Sequence, residues 1–88
     1  MTTQEQEQTR AAWDNLAAGY DKFVTPSHMP LAEEVLRRAG VRLGTRLLDV
    51  AAGSGGLSIP AARHGATVLA TDHSPVMLAR LKARADKE

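Results

Sequence analysis

Residues 47–56 read Leu-Leu-Asp-Val-Ala-Ala-Gly-Ser-Gly-Gly, and Asp72 follows about twenty residues beyond the turn they form. A short apolar run thus carries an acid, Asp49, near its end and feeds a glycine-rich turn. Gly53 and Gly55 can adopt positive φ, and their missing side chains leave room for a ligand close to the backbone. The helix after such a turn starts with free N–H groups. A carboxylate beside the turn repels a phosphate and attracts a cation such as an amino group. A carboxylate at the next strand end, Asp72, suits a ribose diol. An ammonium and a nucleoside in one cofactor describe S-adenosyl-L-methionine. Two other readings stay open. Ala51-x-Gly53-x-x-Gly56 also fits a relaxed dinucleotide fingerprint, with Asp72 placed for a ribose hydroxyl, although Asp49 would then crowd a pyrophosphate. Glycines that only make a tight strand-to-helix turn would look the same.

These residues need two strands and a helix to position them. Arg46–Val50 reads as a buried strand and Ala66–Thr71 as a second. Between them the pattern predicts a helix from about Gly56 to His64, starting late enough to put Pro60 in its first turn. Ser74 and Pro75 form a strong start for the next helix, with Met77, Leu78 and Leu81 inward. Upstream, a helix is expected from Thr2 or Thr3 to Gly19, with Gln6 completing a capping box. Its inner face would carry Trp13, Leu16, Ala17 and Tyr20. Residues 21–30, with two prolines, read as a connection. A helix from Met29 to Ala39 would follow, with Leu31, Val35, Leu36 and Ala39 inside and Glu33–Arg37 and Glu34–Arg38 paired outside. Gly40 ends it. The fold class is therefore α/β: two N-terminal helices and then β-α-β-α, the N-terminal part of a doubly wound, mostly parallel sheet.

Bulk properties narrow the function classes. With 88 residues the chain holds at most one small domain. The net charge of +1 gives no reason to expect nucleic acid or an anionic membrane as partner. The polar N-terminus is no signal peptide, and no apolar run is long enough for a membrane span. With no cysteine, neither disulfides nor thiolate metal sites contribute. The three histidines lack metal-ligand spacing. These features fit a cytoplasmic location.

Residues 47–56 resemble motif I of the Rossmann-like S-adenosylmethionine-dependent methyltransferases. Thr71-Asp-His-Ser-Pro-Val-Met-Leu resembles the same family's second-strand element. Trp13 to Asp21 resembles the N-terminal helix of its small-molecule, ubiquinone/menaquinone-biosynthesis branch. The resemblance implies that Asp49 holds the methionine amino group and that Ala51, Gly53, Ser54 and Gly55 form the turn around the methionine moiety. It implies ribose binding by Asp72, adenine flanked by His73, and Tyr20 approaching from an N-terminal lid. Ala51 departs from the pattern by replacing the first motif glycine; its methyl group is tolerable if φ is negative.

On this resemblance residues 1–45 form a helical lid region and residues 46–88 the first β-α-β-α unit of an incomplete cofactor-binding domain. The chain would be the N-terminal part of a methyltransferase acting on a small-molecule acceptor, inactive as an isolated fragment. A dinucleotide-dependent oxidoreductase fragment is the alternative, as is a non-catalytic module self-associating through its open strand edges. No catalytic base is assigned. Trp13 reads as core, His28 as a solvated or capping residue, and His64 as a surface residue at a helix C-terminus.

Overall fold

The computed structural model describes residues 2–88; Met1, first in the expected 1–45 region, lies outside them. Thr2 caps helix α1 (Thr3–Gly19). Its hydroxyl accepts from the Glu5 N–H at 3.1 Å, and the Glu5 carboxylate accepts from the Thr2 N–H at 3.0 Å. The capping box closes on Glu5 rather than Gln6, because the reciprocal partner stands three residues after the cap.

The expected connection at residues 21–30 is helical instead. Helix α1 runs into a π turn, Tyr20–Val24, and then into α2 (Thr25–Ala39), four residues ahead of the expected start at Met29. Two prolines make this stretch look broken in sequence, and the helix absorbs both. Pro26 has no N–H, and its ring would crowd the carbonyl four residues back. The ladder widens just before it, with the Thr25 N–H reaching the Tyr20 carbonyl, so that Pro26 becomes the second residue of a new helix. Pro30 lies one turn further on, where its missing donor spares only the carbonyl of Pro26 on an exposed side. Gly40, at φ 73°, ends α2 as expected.

The buried stripe of α2 is Thr25, Ala32 and Leu36. Leu31 and Val35, expected inside, are exposed, because α2 meets the helix after the glycine turn through the neighbouring stripe. On the polar side Glu34 takes both Arg37 and Arg38, at 2.6 and 2.8 Å. Glu33, expected to pair with Arg37, turns instead to His64, whose Nε2 lies 2.5 Å from its carboxylate. His64 is therefore a tie between helices rather than a solvated surface residue.

Strands β1 (Arg46–Val50) and β2 (Thr67–Thr71) pair in parallel, with Arg46 opposite Thr67 and Val50 opposite Thr71. Between them α3 spans Ser58–Arg63, shorter than expected at both ends, with Pro60 in its first turn. Helix α4 (Pro75–Asp86) follows, its Met77 N–H donating to the Ser74 hydroxyl at 3.1 Å. Side chains alternate across the sheet. Asp49 turns inward, while Leu48, Val50 and Leu69 are 61%, 70% and 65% exposed. The strand expected to be buried is thus covered on one face, that on which α3 packs. Helices followed by two parallel strands make an α/β arrangement consistent with a partial Rossmann-like fold. Helix α1 packs against α4, and Trp13 and Tyr20 lie beside the turn at the carboxyl end of the strands.

Candidate functional site

The end of β2 fixes the first acid. The Asp72 side chain is 10% exposed, wedged between the glycine turn and the start of α4. Its Oδ2 accepts from the Gly53 N–H at 2.9 Å and its Oδ1 from the Ser74 N–H at 2.8 Å. Each oxygen of a carboxylate can accept twice, so two acceptor positions remain for a ligand. Asp49 is buried and oriented by the Ser58 hydroxyl, which donates to its Oδ2 at 2.6 Å. The two carboxylates thus stand at adjacent strand ends, with the turn between them.

The turn is left-handed at several points. Gly53 has φ 58°. Ala51 has φ 59°, so the condition on which its methyl group was tolerable is not met. For an L residue that conformation costs about 1 kcal/mol or more. Tyr20 covers the turn from the π turn: a Cβ placed on Gly53 would lie 3.8 Å from Tyr20 Cε1. The Tyr20 ring stands edge-on to Trp13 at 6.0 Å and to His28 at 6.5 Å between centroids.

Two clefts meet under Tyr20. One, of about 240 Å³, is lined by Trp13, Tyr20, Ala51, Gly53, Asp72, His73 and Met77. The other, of about 360 Å³, has Tyr20, His28, Asp49, Ala51 and Leu57 on its walls, with Leu31 and Val35 of α2. The clefts share Tyr20 and Ala51. Six of the expected site residues, Asp49, Ala51, Gly53, Asp72, His73 and Tyr20, therefore lie on cleft walls. Ser54 and Gly55 do not. Ser54 is fully buried, and its hydroxyl is hydrogen-bonded to that of Thr25, which ties α2 to the turn. Gly55 faces inward, where an added Cβ would come within 2.9 Å of Ile59 and 3.1 Å of Leu81.

Trp13, expected in the core, is 40% exposed and forms part of the smaller cleft. The signal that could have placed it is its spacing of seven from Tyr20, two helical turns on one face. His28 lines the larger cleft, brought there by the early start of α2. His73 is more than half exposed at the rim, its Nδ1 3.8 Å from Asp72. Among the described residues no group of three His, Asp or Glu side chains converges as a metal site would require. No described helix is long and apolar enough to cross a membrane.

A family model described as a methyltransferase domain matches residues 47–88, from β1 through α4. The match makes this segment, just under half of the chain, similar to part of a methyltransferase domain. The chain is also similar to an uncharacterized protein of Mycobacterium tuberculosis, 51% identical over 59 residues, which are 67% of this chain and 22% of that protein. A Mycobacterium bovis protein matches to the same extent. A second M. tuberculosis protein, also uncharacterized, is 54% identical over 56 residues, 64% of this chain and 20% of its own length. The chain thus spans about a fifth of the length of these relatives.

Proposed function

We propose that this chain supplies part of an S-adenosyl-L-methionine site in an enzyme that methylates a small-molecule acceptor, of the ubiquinone/menaquinone-biosynthesis type. The observation that carries the reading is the pair of carboxylates at adjacent strand ends, separated by one left-handed turn. Asp72 is held by two backbone N–H groups and keeps acceptor positions for a ribose diol. Asp49 presents negative charge where an amino group, and not a phosphate, is welcome. The residues present therefore fit the group. When bound, it would supply an activated methyl carbon on a sulfonium.

The chain's own part is to hold and align. Asp72 and His73 would bind the nucleoside end beside Trp13, while Asp49 would orient the amino acid end across Ala51 and Gly53. Tyr20, in the lid formed by residues 1–45, would shield the junction of the two clefts from water. Methyl transfer of this kind draws its rate from proximity and alignment more than from acid–base chemistry.

Isothermal titration calorimetry of the chain with S-adenosylhomocysteine, S-adenosylmethionine and NADH tests the reading. Binding of the first two, lost in Asp72→Ala, is the expected result. Binding of NADH in preference to either, or affinity unchanged by Asp72→Ala, refutes it.

A further inference from the structure

Tyr20 shares both cleft walls, yet it stands on an irregular piece of backbone. In the π turn the Thr25 N–H donates to the Tyr20 carbonyl. The next carbonyl, that of Asp21, would take the N–H of Thr25 in an α ladder or of Pro26 in a π ladder. Thr25 is committed to Tyr20, and Pro26 has no N–H. The Asp21 carbonyl is thereby left to a donor from outside the helix.

Arg84 of α4 is that donor. Its Nη2 donates to the Asp21 carbonyl at 2.8 Å, and the same guanidinium reaches Asp21 Oδ1 from Nη2 at 2.6 Å and from Nε at 3.1 Å. The two side chains are 25% and 19% exposed, so solvent competes only in part. One guanidinium holding a carbonyl and a carboxylate of the same residue is a geometry that the point charge of a lysine does not reproduce. Further along, the Ser74 hydroxyl donates to Asp14 Oδ1 at 2.5 Å, tying α1 to the start of α4.

We propose that Arg84 is a positioning residue for the cofactor cleft: by gripping both acceptors of Asp21 it fixes the π turn and so sets Tyr20 against Gly53 and Trp13. Without that donor the Asp21 carbonyl loses its partner while Pro26 still bars an α bond to Lys22, so the turn is free to rearrange. A shift of one residue in a helix rotates a side chain by about 100°, which would carry Tyr20 off the turn. The consequence for affinity rests on the S-adenosylmethionine reading; the consequence for Tyr20 does not.

The chain has one Trp and one Tyr, and they touch edge-on, so the near-ultraviolet dichroism of Trp13 reports where Tyr20 stands. The experiment compares wild type, Arg84→Gln and Arg84→Lys by that spectrum and by calorimetry with S-adenosylhomocysteine, each also in a Tyr20→Ala background. Both Arg84 variants should change the Trp13 spectrum and weaken binding about tenfold, the lysine failing to rescue although it keeps the charge. In the Tyr20→Ala background the Arg84 changes should have no further effect on affinity. An unchanged Trp13 spectrum, or an equal loss of affinity with and without Tyr20, overturns the proposal. Should Arg84→Gln not fold, Arg84→Lys and Asp21→Asn are read in the same way. A wild-type chain that binds no S-adenosylhomocysteine sinks the functional reading, and the Trp13 spectrum alone then decides for or against Arg84.

Discussion

Replacing Ala51 with glycine should make the protein more stable, against the usual effect of that substitution. Ala51 has φ 59°, and its side chain is exposed, so its methyl group gains little from burial. Relieving a left-handed L residue returns about 1–2 kcal/mol. Against this, glycine widens the unfolded ensemble by about 0.4–1 kcal/mol. The balance is a gain of roughly 0.5–1 kcal/mol, or a rise in Tm of about 2–8 °C for a domain of this size. Urea unfolding followed by far-ultraviolet dichroism measures it, with Ala52→Gly as the control. Ala52 does not share the positive φ, so its replacement should destabilise by about 0.4–1 kcal/mol. If Ala51→Gly lowers the midpoint as much as Ala52→Gly does, the backbone at position 51 is not strained and the reasoning fails.

Three further outcomes are expected. Asp72→Asn should destabilise by about 1.5–3 kcal/mol in the same assay, because an amide offers one oxygen to two backbone N–H groups that now each have an anionic one; wild-type stability would show those bonds to be dispensable. Ser58→Ala strips buried Asp49 of its hydroxyl donor and should cost about 1–3 kcal/mol, read from the unfolding midpoint at constant m-value. On the acid side, Arg37 and then Arg38 hold the Glu34 carboxyl below its ordinary 4.5, and Arg63 does the same to exposed Glu88. A value lowered in the folded state contributes stability above about pH 4.5 that disappears as pH falls through the lowered value. The double variant Glu34→Gln, Glu88→Gln should therefore lose part of the acid slope of stability, by an amount that shrinks with added salt. An acid slope equal to that of wild type would count against both pairings.

What could be read from the sequence was what depends on nearest neighbours. Strand β1 has the expected bounds, and α4 starts at Ser74 and Pro75 because a hydroxyl cap and a fixed φ act within one turn. Asp49, Gly53 and Asp72 could be brought together on paper because a strand-turn-helix leaves them few other places. The stretch from Asp21 to Pro30 could not be read. Its prolines signal a break, and only the widened turn and the Arg84 donor from α4, 63 residues away from Asp21, show how the helix survives. The buried stripe of α2 was legible only at Leu36 for a similar reason: Leu31-Val35 and Ala32-Leu36 have the same period, and packing chose the less apolar pair. The sign of φ at Ala51 is likewise set by the turn as a whole and not by its own residue type.

The uncovered face of the sheet has a calorimetric consequence. Leu48, Val50 and Leu69 are already hydrated in the folded chain, so unfolding exposes less new apolar surface than is usual for a domain. Heat-capacity change scales with that new surface, and the common figure of about 12–15 cal/mol/K per residue becomes an upper bound here. The stability curve of this chain is correspondingly flat. Its unfolding free energy should bend less with temperature than that of a fully packed domain of the same length.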